Sequence, residues 1–467
     1  QRQMCIRDRC NIEGATISVT GSVSSTITCT NHRWSTSLNL SSVSDGAISF
    51  TVTQNADAAN SKTLNLYKDA TFCSTSPSSG SFAGGTGSAG NPYTICTADQ
   101  LQAVGSNLAS NTYFRLMNNI DVSSGFTALA AGNTGTFKGN FDGNGFVIRN
   151  LVVSSDTDDQ GLFGEVELAN TNTRILNLGV EDARVIGSIF VSPIIGRLSR
   201  SGPQGVNDTY DLYSTGTVVG LNIINSTDGA RVGGITGELD GNSRSNFTHL
   251  FSSATVISHN RASGGLFGRL SDNDYSLSYA TGHVLGSGDG CGGFVGQALL
   301  STGKISLSYA TGSGFYDTTQ NPGSFAGYLS GGRIENSYGS GSIFGSLTVA
   351  GFISYLQSNG SIRFTYTSGH LLFPTLFSNS GFATALSTGA TIDDSFSVSS
   401  MSLSSSGAGF LQQIDGGDGT GSTVNNSFFW RHSWSPTVCI QTDTLSLIHI
   451  SEPTRLRRIS YAVFCLK

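Results

Sequence analysis

A four-residue pattern recurs along most of this chain and constrains the fold more than any other feature. It consists of glycine or another small residue, two mostly apolar residues, and a second small residue. It appears as GLFG at Gly161, PIIG at Pro193, GITG at Gly234, GLFG at Gly265, GFVG at Gly293, SFAG at Ser324, GFIS at Gly351, GFAT at Gly381 and GFLQ at Gly409. Successive copies lie 32, 41, 31, 28, 31, 27, 30 and 28 residues apart. A period of this size marks a stacked repeat whose units bury a core only against their neighbours.

Each unit carries a second segment, clearest in Asp274–Gly282 (DYSLSYATG) and Lys304–Gly312 (KISLSYATG), with related copies from Arg333, Ser361, Thr391 and Thr423. Ile305, Leu307 and Tyr309 alternate with Ser306, Ser308 and Ala310, which predicts a straight strand with one apolar and one small, polar edge. About thirty residues with two or three short strands make one coil of a parallel β-helix, and nine coils at ~4.8 Å give a rod of about 43 Å. Glycines at Gly161, Gly164, Gly234, Gly237, Gly265, Gly268, Gly293 and Gly296 fit coil corners, which need positive φ or close backbone approach. Tyr279, Tyr309, Tyr338 and Tyr366 recur at one repeat position and read as an internal aromatic ladder rather than a sugar-stacking face.

The pairing of GGLFG with SLSYATG over Gly264–Gly282, and of CGGFVG with SLSYATG over Cys291–Gly312, resembles the GLUG motif family. The family occurs in bacterial surface adhesins and in some immunoglobulin A-cleaving metallopeptidases. The resemblance covers residues 161–440 and implies a right-handed parallel β-helix. The segment 91–160 resembles the entrance to such arrays. In it, Thr97 and Gln100 form a capping box for a short helix from Ala98 to Ala109 that covers the open end of the first coil. Ahead of a Ser/Gly-rich linker at 74–90, residues 10–73 show period-two apolar runs around Trp34. They resemble a truncated immunoglobulin-like β-sandwich of bacterial surface proteins. The expected class is therefore all-β.

Residues 1–9 and 445–467 break this pattern. They resemble translated sequencing-adaptor read-through and are set aside from the fold, which makes the chain read as a piece of a longer gene product. They hold seven of the 25 basic and two of the 31 acidic residues, so without them the formal charge moves from -6 to -11. That balance excludes a nucleic-acid binder; 8 prolines beside 60 glycines exclude collagen, and 37% hydrophobic residues exclude a disordered chain. No apolar run approaches the ~20 residues of a membrane helix.

Cysteine spacing suits an oxidising compartment, with Cys10–Cys29 and Cys73–Cys96 as candidate disulfides; Cys291 and Cys439 have no evident partner. None of the seven histidines is followed by glutamate, so the H-E-x-x-H zinc site of the metallopeptidase branch is missing from this sequence. Sugar-cleaving β-helices need clustered carboxylates. Asp158-Asp159 and Asp393-Asp394 are the candidates, with Arg149, Arg174 and Arg184 nearest the first pair, and Asp208, Asp211 and Asp228 lie in the longest interval. Asp156, Asp158, Gln160 and Glu167 have the spacing of a calcium loop, although Gly161 is already required by the repeat and no helix pattern flanks them. Gly416–Val424 is a near miss to a calcium-binding nonapeptide. No other cofactor is expected. The reading is a non-enzymatic, monomeric, extracellular or cell-surface, adhesin-like stalk for a host, cell-surface or glycan ligand. The alternatives are a polysaccharide lyase or hydrolase and the repeat region of a metallopeptidase.

Overall fold

A computed structural model describes residues 3–465 except 10–11, 31–32, 41, 56, 69–71, 76–80, 133–134, 169–172, 201–208, 222–228, 242–244, 260, 318–321, 346–347, 373–378, 402–407, 416–420, 431–446 and 451–461. The repeats form a parallel β-solenoid. One coil runs through Cys291–Gly292, Val295–Leu299, Lys304–Ser306, Tyr309–Ala310 and Gly314–Tyr316, and each strand pairs in parallel with its counterpart one coil later. Stacking places the strand before each repeat corner in a 7-stranded sheet, the strand after it in a 9-stranded sheet, and the remaining strands in a 29-stranded sheet. A single apolar core extends from Ile95 to Phe429.

The corner glycines explain why the pattern is so restricted. At the eight glycines singled out by sequence the backbone is not left-handed; close approach is the reason for the residue type. A Cβ on Gly265 would lie 2.2 Å from the Gly293 carbonyl, and one on Gly293 would lie 2.1 Å from the Ser324 carbonyl, both in the following coil. A Cβ on the second glycine meets the preceding coil instead, as at Gly268 against the Gly237 carbonyl (2.4 Å). The copies without a second glycine place buried Ser354, Thr384 and Gln412 there.

The second segment is not a straight strand. Leu277, Leu307, Asn336, Phe364, Asp394 and Asn426 all have φ between 46° and 53°, so each coil turns at the residue between its two serine-type positions. Leu307 is consequently 55% exposed, while Ile305, Ser308 and Ala310 are buried. The serine after the turn stabilises it twice. Ser308 Oγ donates to the Ser306 carbonyl (2.8 Å) and accepts from the Ser278 amide of the previous coil (3.3 Å). Ser395 and Ser427 repeat the arrangement. These bonds satisfy amides that the left-handed turn removes from the ladder.

The turn also relocates the aromatic ladder. In each Tyr-Ala strand the alanine takes the interior, and Tyr279, Tyr338 and Tyr366 are half-buried on the outside, with Tyr309 buried between neighbours. Tyr279, Tyr309, Tyr338, Tyr366, Phe396 and Phe428 stack at 4.6–5.2 Å with interplanar angles of 4–9°. The interior ladder comes from the repeat corner itself: Phe294, Phe325, Phe352, Phe382 and Phe410, stacked at 4.6–5.1 Å. Such pairs contribute about 0.5–1.5 kcal/mol each beyond burial. In both ladders the ring faces cover one another, leaving a saccharide no open face within the stack.

The entrance helix is shorter than expected. It covers Ala98–Gln102 and continues as a 3-10 turn over Ala103–Ser106; Thr97 caps the Gln100 amide, and Leu101 and Val104 enter the solenoid core. Ahead of it, antiparallel strands Thr16–Gly21, Ser25–Thr28, Gly46–Gln54 and Asp57–Lys68 form one sheet, and Arg33–Asn39 pairs with Gln3–Arg9, a segment whose composition had placed it outside the fold. Their core contains Ile17, Val19, Cys29, Trp34, Leu38, Ile48 and Phe50, as the alternation predicts. At the far end Ala462–Cys465 pairs antiparallel with Ser427–Trp430 and Leu447–Ile450. Among the described residues no helix is long and apolar enough to cross a membrane.

Candidate functional site: a charged column on the first coils

The residue four places after the start of each repeat corner points outward from the 9-stranded sheet, and parallel register stacks these residues in one column. On the first coils the column reads Glu165, Arg197, Glu238, Arg269, alternating in sign. Further along, Gln297, Tyr328 and Tyr355 continue it without charge.

Glu238 is the centre of the charged part, with its side chain only 3% exposed. It forms ion pairs with Arg231 of its own coil and with Arg269 Nε of the next (3.3 Å). Burial pulls the Arg231 guanidinium below its ordinary value, opposed by Glu238. Arg197 and Arg231 each lie 5.3 Å from the centre of the Phe190 ring, a cation–π geometry. Arg197 also pairs with Asp240 (3.7 Å), while Glu165 accepts hydrogen bonds from Thr136 (3.0 Å) and Ser199 (3.2 Å).

Asp159 completes the cluster. It sits at φ 55° in the turn before the first corner, and its Oδ1, like that of Asp158, is buried without a hydrogen-bond partner. Burial pushes its carboxyl up to about 7, reinforced by Glu165 and opposed by Arg197. A carboxyl that exchanges its proton near neutrality beside a second carboxylate has the chemistry of a general acid or base.

The other sequence-derived residues are placed differently. Asp156 is exposed, Gln160 is buried with its amide donating to Thr157 Oγ1 (2.9 Å) and the Asp158 carbonyl (2.8 Å), and Glu167 is ion-paired with Lys138 (2.8 Å). Gln160 and Glu167 are thus engaged with other partners, while Asp156 faces solvent and Asp158 Oδ1 is buried without a partner. Among the described residues no three His, Cys, Asp or Glu side chains are grouped as metal ligands. Asp393 and Asp394 accept from Asn425 (2.7 Å) and Asn426 (3.2 Å) of the next coil. Arg149 pairs with Glu181 (2.9 Å), whose hydrogen bond raises its pKa, and not with Asp158-Asp159; the basic group that acts on Asp159 is Arg197. Asp208, Asp228, Cys10, Cys439 and 416–420 of the glycine-rich stretch lie outside the described residues.

Cys73 and Cys96 form a disulfide with Cα atoms 5.5 Å apart. Cys29 is disulfide-bonded. Cys291 is a buried thiol 3.2 Å from Ser263 Oγ, and burial raises it to about 11.

Pairs of carboxylates adjacent in sequence do not reveal the column. Aligning the nine repeats on their corners does, because the four charges occupy one repeat position.

No protein family model matches the chain. Halomucin from Haloquadratum walsbyi is 30% identical over 172 residues, which is 34% of this chain and 2% of that protein. A solved structure assigned as an immunoglobulin A1 protease from Bacteroides ovatus is 26% identical, covering 57% of this chain and 80% of that one with a TM-score of 0.47. A second, an IgA1 protease, is 13% identical and covers 92% of this chain and 30% of that one with a TM-score of 0.27.

Proposed function

We propose that this chain is a non-enzymatic segment of a large secreted or surface-anchored, adhesin-like protein, in which the solenoid serves as a stiff stalk and a binding surface. The observation that supports this reading is the unbroken succession of parallel pairings from Phe163–Leu168 to Leu411–Asp415, which makes the coils one continuous body. The likeness of the repeats to the GLUG motif family points the same way. The partner is a host, cell-surface or glycan ligand. A glycan-array and extracellular-matrix screen with the whole chain, with and without calcium, tests the proposal. Saturable binding without turnover is the expected result; binding to nothing reduces the segment to a spacer.

Asp159 beside Glu165 favours a second reading, a polysaccharide-acting enzyme. Release of new reducing or unsaturated ends from a polysaccharide, lost in Asp159→Asn, would replace the first reading with the second.

A further inference from the structure

The last strand of each coil carries one side chain pointing away from the core. Leu285, Phe315 and Phe344 each lie exposed between two buried neighbours. Parallel pairing joins them to Ile186, Val219 and Ile257 before and to Leu372 after, so seven successive coils present an aliphatic residue or phenylalanine in one outward column. Leu285, Phe315, Phe344 and Leu372 are 36–43% exposed, and the rings of Phe315 and Phe344 stack at 4.7 Å. The outward column beside it begins with exposed Arg184 in the Ile186 row and continues as Thr217, Thr255, His283, Ser313, Ser342, His370 and Ser400. From Thr217 to Ser400 neither column contains Asp, Glu, Lys or Arg. Outward strand positions on a solvated sheet are ordinarily polar, and an apolar stripe of this length marks a contact surface.

We propose that this column is a contact face for a second copy of the chain, packed antiparallel about a twofold axis. Three properties favour that occupant. The chain carries a formal charge of -6, so two copies approach most readily through a neutral face. A column of uniform row spacing is complementary to its own reversed image, as a twofold contact requires. The size suits a weak, concentration-dependent dimer: six row intervals of ~4.8 Å by about four residues of ~3.3 Å give roughly 400 Å² of projected surface per copy, at the low end of interface sizes.

Sedimentation velocity on the whole chain tests the proposal. The weight-average mass should rise from 48.7 kDa towards twice that value as concentration increases. The range to cover is about 1 to 100 µM. The rise should persist in high salt, because the face is uncharged. Phe315→Lys with Phe344→Lys should weaken association at least about tenfold. Leu307→Lys, exposed but outside the column, should leave it unchanged, and circular dichroism verifies that each variant folds. If the double variant does not fold, Phe315→Ser takes its place. A wild-type chain that stays monomeric across this range overturns the proposal, including the case in which it instead binds phosphatidylcholine vesicles through the same column. Dissociation by salt, or a dimer indifferent to these substitutions, also overturns it.

Discussion

The coils from Phe163 to Leu270 and those from Val295 to Asp415 share one backbone plan and differ in the side chains that join them. In the earlier set the outer column is charged and alternating, and the inner corner positions are Leu162, Ile194, Ile235 and Leu266, which have no rings to stack. In the later set the outer column is neutral, and the same inner position is phenylalanine in five successive coils. The earlier set contains the longest repeat interval; the later intervals are nearly constant. Ring stacking rewards constant coil geometry at every step, whereas flexible ion-pairing side chains tolerate an irregular coil. The backbone ladder sets the architecture, and the side-chain columns determine how much irregularity each stretch can carry.

Substitutions in the two sets test that contrast. The largest effects should come from their centres. Phe352→Ala empties one step of the inner ladder and should cost about 3–5 kcal/mol in denaturant unfolding. Glu238→Ala leaves buried Arg231 and half-buried Arg269 without their carboxylate and should cost a similar ~3–5 kcal/mol. Replacing Arg231, Glu238 and Arg269 together by apolar residues of similar volume should recover most of the second loss; failure to recover it would show that the early coils need the charges themselves.

Asp159→Asn should next change the pH dependence of stability. The folded carboxyl keeps its proton to about pH 7. In the unfolded chain it keeps it only to about pH 4. Between these values the folded state holds the extra proton, so wild-type stability should decline as pH rises from about 4 to 7 and level off above, by on the order of 2 kcal/mol after allowance for solvent screening. The variant should lack that slope in unfolding curves measured across this range. Ser308→Ala, which leaves the Ser278 amide without its acceptor, should cost about 1–2 kcal/mol. The smallest effect should be a gain: Leu307→Asn relieves a left-handed leucine and should stabilise by about 0.5–1 kcal/mol in the same assay.

Much of the fold is legible in the sequence because each coil repeats one spatial position at nearly fixed sequence distance. The corner pattern alone therefore locates Phe163–Leu168 and its eight successors in the 9-stranded sheet. The left-handed turn at Leu307 is not legible, because apolar alternation runs through it without interruption and the residue most suited to such a turn occurs only in other coils, as Asn336 and Asn426. The Tyr279 to Tyr366 ladder is visible as a ladder, but its side of the sheet depends on that turn, which hands the interior to Ala280 and Ala310. At the charged cluster, Asp159 stands out in the sequence, while Arg197 and Glu238 do not, since their neighbours within the column are a full coil away along the chain.

The close approach of the corner glycines to both neighbouring coils has a consequence for how such a molecule can change length. Inserting one or two residues within a corner would displace the strand that follows from its partners in the neighbouring coils. Removing a whole coil would instead bring matching faces together, as Gly268 already meets Gly237 and Gly296 meets Gly268 through the same kind of contact. The rod is thus a ruler graduated in single units of ~4.8 Å, which can be cut or extended only at its marks.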